Sequence, residues 1–201
     1  MMEFTTVINE RRSAKDFEPN VPISTEQLEV MVEEAQLAPT AFNLQHAKYI
    51  IVRDETVKQE LKEVSLMQEK ITNASAVIII TGDAQAYENV AEIYAHTLTG
   101  DVLTMKEEVI RDFYVPRGES FAREEAIRNG SLVAMQFMLV AKSYGWDTCP
   151  MIGFDKIEVR RILDIPANEE IVMMITLGKA VPMDEYPRGY RKPAQEVIRY
   201  K

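Results

Sequence analysis

Apolar residues recur at helical spacing along several stretches of the chain, and in others they run unbroken. Phe4, Val7 and Ile8 share one helical face ahead of Arg11 and Arg12, after which Pro19 and Pro22 interrupt regular structure. Ser24 followed by Gln27 is a capping-box start, and Leu28, Met31, Val32 and Ala35 form the apolar face of the helix it opens. That helix is expected to stop at Ala38, because the residue before Pro39 is pushed out of the helical region. The β-branched run Tyr49 to Val52 predicts a strand, and Val57, Leu61 and Val64 behind an Asp54 cap predict a helix. A short helix is expected over Met67 to Asn73, followed by a strand at Ala76 to Ile80 that is apolar on both alternating faces and therefore buried on both.

Residues 84–117 are mostly polar and are assigned helices. From Ala122 to Tyr144 apolar residues crowd nearly all faces, as expected of a central buried helix, with Gly145 as its stop. Asp155 caps a further helix carrying Ile157, Ile162 and Leu163; Ile171 to Leu177 reads as a buried strand and Val197-Ile198 as a last short one. No repeat or low-complexity linker divides the sequence, so one domain over 1–201 is expected. The class is α+β, a mixed sheet of about four or five strands surrounded by helices.

Composition narrows the function classes. The 201 residues include 23 Lys and Arg against 32 Asp and Glu, a net charge of −9. Such a chain repels phosphate backbones and anionic membranes unless it concentrates a large basic patch, and none of that size occurs. The apolar runs are far shorter than a bilayer span, and MMEFTTVINERR lacks the apolar stretch of a secretory signal, so a cytoplasmic protein is expected. The single cysteine, Cys149, excludes an intrachain disulfide and a multi-cysteine metal site. It reads as a small buried side chain rather than a reactive thiolate, since no cation neighbours it in sequence. His46 and His96 are too few and too far apart for a metal site. The methionines mostly fit core positions, with Met105 and Met151 able to soften a pocket, and Glu124 and Glu125 read as a solvated helix face.

Against this acidic background two basic islands stand out. Arg11-Arg12-Ser13-Ala14-Lys15 joins three cations to a hydroxyl, a set suited to gripping a dianion and equally compatible with a solvated helix terminus. Arg188, Arg191 and Lys192 lie near the other end, between Pro187 and Pro193, and fit either a second half of an anion clamp or an exposed tail. Asn43 and Gln45, on a loop entering a strand, carry amides able to read a planar heterocycle or simply to shape a turn. In Cys149-Pro-Met-Ile-Gly-Phe-Asp155, Gly153 allows close backbone approach to a ligand, or marks a plain connecting loop.

The order Arg11-Arg12-Ser13-x-Lys15, Ala38-Pro39-x-x-x-Asn43-x-Gln45, Pro150-x-x-Gly153-Phe154-Asp155 and Arg191-Lys192-Pro193 resembles the flavin-dependent nitroreductase family over nearly the whole chain. The stretches Ala38 to His46, Asn129 to Gln136 and Asp147-Thr148-Cys149 look like its small bacterial NAD(P)H-dependent members, although Met67 stands where many relatives have Asn and His46-Ala47 replaces a Pro-Trp or His-Trp pair. The resemblance implies an intertwined homodimer with one FMN at each of two subunit interfaces. It implies that Arg11, Arg12, Ser13 and Arg191, helped by Arg188, hold the phosphate, and that Lys15 lies near the flavin pyrimidine edge. Pro39, Thr40, Ala41, Asn43 and Gln45 would come from the partner chain. Gln68 and Lys70 would touch the ring, and Pro150, Met151, Ile152 and Gly153 would pass beside it. The implied activity is ping-pong hydride transfer from NADH or NADPH to nitroaromatics, quinones or similar planar acceptors, with no side-chain acid or base. Dehalogenation, enone reduction and flavin binding without turnover are the alternatives.

Overall fold

One strand at the centre of the sheet is buried along its whole length, and its sequence explains why. The computed structural model describes residues 2–182 and 187–201. In it, β1 spans Ala47–Val52 and β2 spans Ala76–Asp83. Along β2, Ile78 and Ile80 enter one apolar cluster while Val77 and Ile79 enter another. A strand covered on both faces needs apolar residues at consecutive positions, which the Ala76 to Ile80 run supplies. With β3 (Asp147–Met151) and β4 (Glu169–Gly178) the strands order as β1-β2-β4-β3. All three ladders are antiparallel, and among the described residues parallel pairing is confined to the isolated bridge between Ser13 and Thr148.

Helices cover both faces. Against one lie α2 (Thr25–Ala35) and the long α7 (Gly118–Ser143), which buries Val133, Ala134, Phe137 and Ala141 in the cluster holding Ile78 and Ile80. The predicted capping box of α2 is formed: Gln27 N–H donates to the Ser24 hydroxyl while the Gln27 side chain accepts from Ser24 N–H. Close approach of α7 to the sheet depends on two glycines. A Cβ on Gly130 would sit 2.7 Å from Val172 Cγ2, and one on Gly82 would collide with the Ala126 carbonyl. On the other face α3 (Glu55–Glu63), α4 (Lys70–Asn73) and α8 (Lys156–Ile162) contribute Leu61, Ile71 and Val159 to the second cluster. Asp54 and Asp155 cap α3 and α8 as expected, each carboxylate accepting backbone N–H bonds. The polar stretch 84–117 forms α5 (Val90–Tyr94) and α6 (Gly100–Tyr114) around a small core of Leu44, Ala86, Val90, Ile110, Tyr114 and Ala122. The helix preceding the first basic island is α1 (Phe4–Glu10).

Four expectations change. The helix predicted from Met67 starts only at Lys70, because Leu66 and Met67 both take left-handed backbone angles, φ 57° and 55°. Val197-Ile198 is not a strand: α9 (Ala194–Val197) is one helical turn, and among the described residues no ladder continues from it. The long helix is not apolar all round in its packing, since Leu132 and Met135 face outward from α7. Glu125 is buried rather than solvated, because it accepts from Asn129 and pairs with Arg128. No described helix is long and apolar enough to cross a membrane.

Candidate functional site

The first basic island runs beside the edge strand β3. Ala14 N–H donates to Thr148 O at 3.0 Å, and Glu18 N–H to Lys179 O at 2.8 Å, so residues 13–18 are fastened alongside the sheet. The second island folds back onto the first. The Arg188 guanidinium donates to Asn9 O at 2.5 Å and Arg11 O at 2.8 Å, satisfying carbonyls at the end of α1. Arg191 donates to the carbonyls of Gly189 and Tyr190, which fixes its own loop. Together Arg11, Arg12, Ser13, Lys15, Arg188 and Arg191 line a hollow of about 400 Å³. Among its described lining residues five are cations and none is a carboxylate. Arg11 feels this arrangement: burial, then the charges of Arg188 and Arg191, push its pKa below the ordinary arginine value. Cations gathered and partly desolvated against their mutual repulsion are chemically suited to a multiply charged anion.

Gln68, Lys70 and the end of β3 adjoin this region. Lys70 Nζ lies 3.7 Å from Cys149 Sγ, so the buried thiol has a cation neighbour after all, one separated from it by 79 residues in sequence. Gln68 is tied to Ser65 O at 3.1 Å, and its amide nitrogen stands 3.9 Å from where a Gly153 Cβ would be. Met151 turns its side chain into the core and so cannot soften a pocket, leaving its backbone to the site. Met105 is exposed on α6. Ile152 stands in solvent beyond the strand.

Pro39, Thr40, Ala41, Asn43 and Gln45 lie elsewhere, on the loop entering β1. Thr40, Asn43 and Gln45 line a different hollow of about 560 Å³ whose far wall carries Glu92 and His96 from the 84–117 excursion. Phe42, Asn43 and Gln45 all have positive φ, 52°, 52° and 48°, a sequence of left-handed residues held by specific bonds. Asn129 of α7 accepts from Ala41 N–H at 2.8 Å through Oδ1 and donates to Glu125 O through Nδ2. The Tyr94 hydroxyl donates to Phe42 O at 2.8 Å. Asn129 and Tyr94 are the positioning residues that sequence reading missed as such. A polar side chain in the buried interior of a long helix was the available signal for Asn129; nothing local marks Tyr94. Next to the loop His46 is buried, its Nε2 3.4 Å from the Tyr114 hydroxyl, and burial, only partly offset by Asp83, pulls its pKa down to about 4.

Within one chain the two groups stay apart. The loop feeds β1 and the basic hollow adjoins β3, at opposite edges of the four-stranded sheet, so three strand spacings, about 14 Å, lie between the edge strands.

Residues 8–179 match the model of the Nitroreductase family. MhqN of Bacillus subtilis (strain 168), provisionally named an NAD(P)H nitroreductase, is 51% identical over 205 residues, covering 100% of both chains. The solved structure of YdfN from Bacillus subtilis, a provisional nitroreductase, superposes with a TM-score of 0.95 at 49% identity, covering 98% of each chain. A provisional nitroreductase from Exiguobacterium sibiricum solved in complex with FMN gives a TM-score of 0.90 at 27% identity, over 100% of this chain and 98% of the other. With a family match over most of its length and a full-length relative at that identity, this chain belongs to the nitroreductase family.

Proposed function

We propose that two copies of this chain form a homodimer that binds one FMN at each of two shared sites and catalyses NAD(P)H-dependent reduction of nitroaromatics, quinones or related planar acceptors. The observation that carries the reading is the hollow of five cations built from both chain ends, because it matches a phosphate of nearly two negative charges. Arg11, Arg12, Ser13, Arg188 and Arg191 would hold that phosphate. Lys15, on the same wall, would take the pyrimidine edge, and Gln68, Lys70 and the backbone from Pro150 to Gly153 would border the ring. The second copy would supply Pro39, Thr40, Ala41, Asn43 and Gln45, the group that one chain keeps at its opposite sheet edge. The outward Leu132 and Met135 of α7 and the exposed Phe4 and Ile8 of α1 give such a dimer apolar surface to bury.

Bound FMN would supply the two-electron redox chemistry. The ammonium of Lys15 offsets negative charge arising at the pyrimidine edge, and the preorganised backbone near Gly153 orients the reacting face. No protein nucleophile is needed. For a quinone the balance is quinone + NAD(P)H + H⁺ → hydroquinone + NAD(P)⁺; for a nitroarene the first two-electron step gives a nitrosoarene, water and NAD(P)⁺. Donor and acceptor use one cleft in turn, which gives ping-pong kinetics. Anaerobic stopped-flow mixing of the FMN-loaded protein with NADH and with NADPH is the test. Rapid bleaching of the yellow colour by at least one donor, restored by a nitroarene or quinone, is expected; colour that persists with both donors contradicts the activity.

A further inference from the structure

Beside Gly153 the surface opens into another hollow of about 560 Å³, bordered by Leu66, Ile152 and Phe154, of whose lining the proposed chemistry uses only the backbone of Ile152 and Gly153. Two features make it more than a surface dent. Leu66 and Met67 occupy consecutive left-handed positions, which branched and bulky side chains disfavour, and the turn is fixed by bonds from Ser65 N–H and Met67 N–H to Lys62 O at 3.0 and 3.2 Å. That unfavourable geometry wins no burial: Leu66 is 79%, Met67 57% and Ile152 76% exposed. The lip also adjoins the residues assigned to the flavin, since Leu66 Cδ1 lies 3.4 Å from the position of a Gly153 Cβ.

Charge restricts what enters. The remaining wall carries Glu63, Asp155 and Glu158. Asp155 is engaged in capping α8, Glu158 pairs with Arg161 at 2.9 Å, and Glu63 accepts from Gln59, while no described lining residue is a cation. An anionic group is repelled there, whereas an uncharged hydrocarbon covers Leu66 and Ile152.

We infer that this hollow is a subsite for the acceptor's substituent, selecting quinones and related acceptors that carry an uncharged apolar side chain and rejecting those whose side chain ends in an anion. Leu66 and Ile152 determine that specificity. The inference rests on the flavin site proposed above.

The test uses the FMN-loaded full-length protein, the nicotinamide donor that bleaches it, and 2-alkyl-1,4-benzoquinones with chains from methyl to pentyl. It adds one member ending in a carboxylate and that member's methyl ester. Wild-type kcat/KM is expected to rise about two- to fourfold per methylene until the hollow is filled, and the carboxylate to fall about tenfold or more below its ester. Leu66→Asn keeps the turn, because asparagine tolerates positive φ. It should flatten the chain-length dependence while leaving the rate of bleaching and the rate with unsubstituted benzoquinone unchanged. Glu63→Gln should narrow the gap between carboxylate and ester. A wild-type rate indifferent to chain length, or a slope unchanged in Leu66→Asn, overturns the inference with the flavin reading intact. Conversion of Leu66→Asn to a monomer on gel filtration also overturns it, by assigning the lip to the subunit contact. Failure of both donors to bleach the wild type removes the flavin reading itself.

Discussion

Lys15 and Arg11 share one wall of the basic hollow and have different tasks. Arg11 is the partly buried member whose pKa is lowered by burial and by Arg188 and Arg191, so a bound anion would relieve this repulsion where cations converge. Lys15 is proposed to act on charge that appears during reduction. Lys15→Met is therefore expected to slow bleaching by the nicotinamide about a hundredfold, the scale of losing one preorganised electrostatic contact, with the urea midpoint unchanged; an unaltered reductive half-reaction would reject the role. His46 gives a pH signature of a different kind. Its folded pKa of about 4 lies below the ordinary 6.5, so between those values the unfolded chain takes up a proton that the folded chain refuses. Stability should fall as pH drops from 6.5 towards 4, by up to about 3 kcal/mol from this residue. In urea titrations across that window, His46→Gln should show a shallower slope than wild type; equal slopes would contradict the buried neutral imidazole.

Among the elements, α7 both roofs the sheet and fixes the loop before β1 through Asn129. Asn129→Ala leaves Ala41 N–H without its acceptor and should cost about 1 to 3 kcal/mol, lowering FMN affinity as well because the Asn43 and Gln45 conformations depend on that anchor. Asn129→Asp retains the acceptor and should recover part of the affinity; loss of stability with no change in affinity would separate the anchor from the site. Legibility in the sequence followed the same lines. The cap at Ser24 and the unbroken run in β2 are local patterns, and each appears where its pattern implied; the two basic islands are legible as local charge, and the fold brings them to one hollow. β3 was not legible, since Pro150 argues against a strand; the edge position of β3 tolerates it, because a strand there has ladder bonds on one side only. The turn at Leu66-Met67 has no glycine or asparagine to announce it. The Lys70–Cys149 contact and the anchors Asn129 and Tyr94 join residues distant in sequence, which no local spacing encodes. Val197-Ile198 had strand composition, but Val197 closes α9 and Ile198 joins no described strand.

For the whole molecule, the separation of the two residue groups across the sheet makes subunit exchange informative. Arg191→Ala would remove a proposed phosphate contact and Asn43→Ala a proposed contact from the second copy, so each variant is expected to lose FMN affinity about ten- to a hundredfold. Mixing the two variants under conditions that allow exchange should restore about a quarter of the wild-type sites, because half the dimers are mixed and each carries one intact site. No recovery on mixing, with exchange demonstrated, would contradict shared sites. Five cations of an acidic chain, drawn from both of its ends, line one hollow, and this ties the sequence to the proposed activity. The measurement that reaches this claim most directly is the affinity of the flavin-stripped protein for FMN and for riboflavin, by calorimetry at about 0.15 M salt. The two ligands differ only in the phosphate. The account predicts FMN binding at least about a hundredfold tighter, as expected for several charge-assisted bonds to that group; equal affinities would contradict the cation clamp.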